Sequence, residues 1–97
     1  MDPLTDWRRK IDEVDAQLVK LLNARAQYAE EIGKVKHSLG LDAYSPEREE
    51  EVMKNVMEMN PGPLTGHAIR RLFERIIDES RSVERLAMTT AKSSPTK

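Results

Sequence analysis

Between Asp6 and Lys36 the apolar residues recur at steps of three and four in strict alternation. Ile11, Val14, Leu18, Leu21, Arg25, Tyr28, Ile32 and Val35 form one seam, broken only by the arginine. A heptad pattern sustained over more than three repeats predicts a long helix packed along another long helix. Thr5 or Asp6 offers the N-cap, and no glycine interrupts the run before Gly33. Such a helix is roughly 45 Å long by its rise per residue, more than a compact domain of this size spans. A second copy of the chain is the expected partner for the seam.

Residues 37–44, with Gly40 among them, read as a loop. A second helix is predicted from Ser45-Pro46-Glu47. Serine suits the N-cap, proline the first turn, and Glu47 and Glu49 the positive helix end. Val52, Val56 and Met59, with Met53 beside them, mark its buried side, and Asn60-Pro61-Gly62-Pro63 ends it. A third helix runs from near Thr65 to about Ala87, with Ile69, Leu72, Phe73, Ile76, Ile77 and Val83 as its apolar stripe. Residues 89–97 are polar and aperiodic and predict a tail or linker. The expected organisation is an all-α protein: a helical domain over residues 1–90, a disordered tail or linker over 91–97, and an intertwined homodimer of three-helix protomers.

Composition narrows the functions available. The 97 residues carry a net charge of -1, which argues against nucleic-acid binding. There is no cysteine, and His37 and His67 stand apart, so no metal site is expected. No apolar stretch approaches the roughly 20 residues of a membrane span. No apolar segment follows Met1-Asp2-Pro3-Leu4, so a cytoplasmic location without membrane attachment is expected. Glycine-rich phosphate loops and nucleophile–base pairs are lacking as well.

The candidate chemistry lies in polar residues that interrupt apolar faces. Arg25 occupies a seam position, and a buried cation demands either a partner carboxylate, such as Asp15, or a ligand anion. Lys36, eleven residues on, returns to nearly the same helical face, although taken alone it reads rather as a solvated last-turn lysine complementing the helix dipole. Arg8 lies roughly 25 Å from Arg25 along the axis. It cannot share a site with Arg25 of its own chain, but in an antiparallel pair it reaches the partner's. Ser80 and Glu84 interrupt the third stripe one turn apart, and Arg48 and Glu49 open the second helix.

Taken together these positions resemble the all-helical chorismate mutase family. The resemblance extends from Leu4 to Leu86. It rests on Arg8, Ile11, Asp15, Leu18, Leu22 and Arg25 with Ile32-Gly33-Lys34-Val35-Lys36. It rests also on Ser45-Pro46-Glu47-Arg48-Glu49, and on Leu72-Phe73-Glu74-Arg75-Ile76-Ile77 followed by Ser80 and Glu84. The resemblance implies an intertwined dimer and the rearrangement of chorismate to prephenate, without cofactor. It implies that Arg25 and the partner chain's Arg8 hold the two carboxylates, with Ser80 assisting. Lys36 and Glu84 would then face the ether oxygen, Arg48 would lie close to the ligand, and Glu49 would receive its hydroxyl. The chain departs from a common family pattern at Ser45, where many members carry aspartate, and at Glu84, where many carry glutamine. Two alternatives stay open at this point. One is an isochorismate pyruvate lyase, similar in fold and cation set. The other is a non-catalytic regulatory domain fused to or associated with a shikimate-pathway enzyme.

Overall fold

The computed structural model describes residues 2–93, and side chains as far as Thr90. Among the described residues the chain forms three helices: α1 (Pro3–Leu39), α2 (Pro46–Met59) and α3 (Gly66–Ser93). The all-α, three-helix expectation holds, with shifts at the joints.

The N-cap of α1 is Asp2, not Thr5 or Asp6. Its carboxylate accepts from the Leu4 amide at 2.9 Å, and Pro3 follows in the first turn, where its missing N–H costs nothing. At the other end α1 continues through His37, Ser38 and Leu39, so the expected loop is shorter by three residues. Gly40 ends the helix at φ 70°, a left-handed conformation that suits glycine. The Gly40 amide donates to His37 O and the Leu41 amide to Lys36 O at 2.8 Å, the paired bonds of a Schellman cap. Ser45 precedes α2 as expected but makes no side-chain capping bond. Thr65 caps α3 through its hydroxyl, which accepts from the Ala68 amide at 3.1 Å. The helix runs on past Ala87 through Thr89 and Thr90 to Ser93, into the segment expected to be a tail. The rest of that expectation, residues 94–97, lies outside the described residues.

The packing face of α1 is not its seam. The buried residues of α1 are Ala29 and Gly33, in the column beside the seam that also holds Lys36. These small residues bring α1 close to α3. A Cβ placed on Gly33 would lie 2.6 Å from Glu84 O and 3.0 Å from both Glu84 Cα and Ala87 Cβ, so only glycine permits this crossing. Ile77 and Ala87 of α3 and Ala43 of the loop complete the small core. On α2, Val52, Met53 and Val56 are half-buried as expected, but Met59 is exposed. Among the described residues α2 packs on α3 and not on α1. Leu72, expected in the stripe of α3, is also exposed.

The seam faces outward along the first half of α1. Every residue from Asp2 to Asn23 is exposed, including Trp7, Ile11, Val14, Leu18 and Leu21. The chain extends 63 Å along its longest axis, with a radius of gyration of 17.4 Å, against about 12.5 Å for a compact chain of this length. Its accessible surface is 8046 Å², where a compact protein of 11.1 kDa exposes about 5,700 Å². Among the described residues no helix is long and apolar enough to cross a membrane.

Candidate active site

The close crossing at Gly33 places the next turn of α1 against the last third of α3. A cleft of about 300 Å³ opens there, lined from all three helices and the loop between α1 and α2. That volume is at the lower end of the range for small-molecule sites. Tyr28, Ala29, Ile32, Val52 and Ile77 give it an apolar wall. Arg25, Lys36, Ser45, Arg48, Glu49, Ser80 and Glu84 also line it, so seven positions singled out in the sequence converge in space.

Arg25 donates to the hydroxyl of Ser80 across the α1–α3 contact. Among the described residues no carboxylate lies within ion-pair distance of its guanidinium, and Asp15 does not approach it. A half-buried arginine has five donors, and this one meets a single neutral acceptor among those residues. Lys36 is held more firmly. Its ammonium donates to Glu84 Oε1 at 2.7 Å and to the carbonyl of Ala43 at 2.7 Å. Both members of the Lys36–Glu84 pair are largely shielded from solvent, at 17% and 14% exposure. Two of the three ammonium hydrogens are thereby used, leaving one for a ligand.

Arg48 lines the cleft at its rim, where it pairs with Glu51 of its own helix and is largely exposed. Glu49 is bound by a residue the sequence reading missed. Arg81 donates through Nε to Glu49 Oε2 at 2.9 Å and through Nη2 to Glu49 Oε1 at 2.6 Å. The hydrogen bond to Glu49 pushes the Arg81 guanidinium pKa further up, and burial only partly opposes it. Arg81 Nη1 lies 3.4 Å from Asp78, and the guanidinium stands 5.2 Å over the Tyr44 ring. Nothing in the periodicity of α3 signals Arg81, because Glu49 and Tyr44, which it meets at the cleft, belong to another helix and a loop.

Arg8 is the one predicted site residue that the fold of this chain does not bring to the cleft. It lies on the exposed half of α1. The charges lining the cleft are four cations, Arg25, Lys36, Arg48 and Arg81, against the carboxylates of Glu49 and Glu84. Glu49 is paired to Arg81, Glu84 to Lys36 and Arg48 to Glu51 outside the cleft lining, so among the described residues Arg25 is the cleft cation left without a carboxylate. Among the described residues no group of histidine, cysteine and carboxylate side chains is arranged to hold a metal.

Residues 7–85 match the sequence pattern that defines chorismate mutase type II. The chain belongs to that family. A chorismate mutase of Thermus thermophilus superposes with a TM-score of 0.84 at 34% identity, over 87% of this chain and 96% of that one. A bifunctional chorismate mutase/prephenate dehydratase of Neisseria gonorrhoeae is 41% identical over 82 residues. This match takes in 84% of the present chain but only 22% of that relative, so the chain spans little more than a fifth of the bifunctional protein. The chorismate mutase of Methanocaldococcus jannaschii is 24% identical over 86 residues, which are 88% of this chain and 87% of that protein. The matched region is thus most of some relatives and a small part of others.

Proposed function

We propose that this chorismate mutase domain binds chorismate and rearranges it to prephenate, as a step of aromatic amino-acid biosynthesis. The observation that carries the reading is the meeting in one cleft of an arginine without a carboxylate partner among the described residues and a shielded lysine–carboxylate pair. Arg25, assisted by Ser80, takes one substrate carboxylate, a charge-assisted contact that also fixes orientation. The free hydrogen of Lys36 and the carboxyl of Glu84 face the ether oxygen, where negative charge grows as the bond to carbon lengthens. Glu49 accepts the substrate hydroxyl, and Arg48 lies at the rim. The reaction is intramolecular and requires no nucleophile, metal or cofactor. Following chorismate absorbance with purified protein and identifying the product tests this. Prephenate is expected. Recovery of pyruvate and an aromatic hydroxy acid from isochorismate alone would support the lyase instead.

We further propose that the site is completed by a second copy of the chain. The exposed seam and the surface excess of the protomer support this reading. With the two first helices antiparallel, Arg8 of one chain approaches the cleft of the other and takes the second carboxylate. Sedimentation at micromolar concentration should give a dimer, and a folded monomer would count against the shared site. A cytoplasmic setting, and fusion or association with another shikimate-pathway enzyme, are part of the same proposal. The bifunctional relatives support the latter.

A further inference from the structure

We infer that Arg81 is a positioning residue for substrate selection, gripping Glu49 so that the cleft presents a fixed acceptor to a substrate hydroxyl. The inference rests on the reading that Glu49 receives that hydroxyl.

Arg81 lines the cleft, yet it is not a second Arg25. Two of its nitrogens are committed to Glu49, the third lies nearest Asp78, and its face covers Tyr44. Its action on a ligand therefore passes through Glu49. An ionised carboxylate offers about four lone-pair sites and no donor. The fork from Arg81 takes one site on each oxygen and leaves the others open. The held group accepts a hydroxyl hydrogen and opposes an ether oxygen or any other acceptor in the same place.

Two further features make the grip consequential. Glu49 stands in the first turns of α2, a helix that packs on α3 and not on α1. The Arg81–Glu49 pair is thus a fastening of that end of α2 beside the cleft. A lone carboxylate at the wall would also repel a dianionic substrate. Arg81 cancels that charge while leaving the acceptor in place.

The test compares chorismate with its methyl ether, in which the hydroxyl hydrogen is replaced by methyl. Both are assayed with wild type, Arg81→Met and Arg81→Lys, each variant checked by thermal denaturation. Wild type should prefer chorismate. Arg81→Met should lose about 10- to 100-fold in kcat/KM on chorismate, the scale of a hydrogen bond to a charged group. It should lose much less on the ether, so that the preference narrows. Arg81→Lys should fall between, since an ammonium keeps the charge but cannot form the fork. If Arg81→Met does not fold, narrowing in Arg81→Lys carries the test. Folded variants that keep the wild-type preference, or that lose both substrates equally, would overturn the inference. Wild type that leaves chorismate unchanged would overturn the functional reading, and the inference with it.

Discussion

The ammonium of Lys36 and the carboxylate of Glu84 meet at 2.7 Å across the junction of α1 and α3, shielded from solvent. In the proposed complex with chorismate, the ether oxygen faces both side chains. Glu84→Gln should keep substantial activity, because an amide donates to an oxygen on which negative charge develops. Glu84→Ala should lose much of the activity, because it neither donates there nor holds the Lys36 ammonium. Equal kcat/KM on chorismate for wild type, Glu84→Gln and Glu84→Ala would remove Glu84 from the reacting centre.

Among the described residues Arg25 has no carboxylate partner to lose. Arg25→Met should cut activity at least about a hundredfold, corresponding to roughly 3 kcal/mol of transition-state stabilisation. Stability should be equal or better, because an apolar isostere replaces a half-buried cation whose protein partner is one hydroxyl. Kinetics paired with thermal denaturation checks both halves. Unfolding by this substitution would show that Arg25 serves the fold.

Arg8→Ala and Arg25→Ala chains should each be inactive alone and regain part of the activity when mixed. In the proposed antiparallel dimer each mixed pair holds one intact site and one doubly broken site. No recovery after verified subunit exchange would contradict a site shared between chains.

Gly33→Ala tests the crossing beneath the cleft. The added methyl would lie 2.6 Å from a backbone oxygen, so the helices must part. A loss of about 1–3 kcal/mol is expected, the usual cost of overpacking. Activity should fall as well, since Lys36 and Glu84 separate with their helices. A substitution that leaves both the melting temperature and the rate unchanged would show that the contact is looser than described.

The three helices and their joints were legible because each leaves a local mark: a period, a cap, a proline or a glycine. The converging polar residues were legible as breaks in those periods. What was not legible lies in contacts between elements. The seam of α1 stands out most in the pattern, yet the chain folds on the quieter column of Ala29 and Gly33, because small residues permit a closer approach. Arg81 breaks no stripe, and only the meeting of α2 and α3 gives it Glu49. Asp2 escaped for a simpler reason. The Asp2-Pro3 pair is itself a helix-start signal, and Thr5 and Asp6, nearer the seam, drew the boundary inward.

The end of α1 has a consequence for the loop that follows. The main chain of Lys36 accepts the Leu41 amide, and its side chain donates to the Ala43 carbonyl. One residue is therefore gripped at both ends by a segment only a few residues long. Surface loops ordinarily tolerate insertions. This one behaves as a gauge: a single residue added between Gly40 and Ala43 displaces the carbonyl that aims the ammonium, while the cap that stops the helix stays intact. Natural variation in the length of this turn should be far narrower than in the turn between α2 and α3.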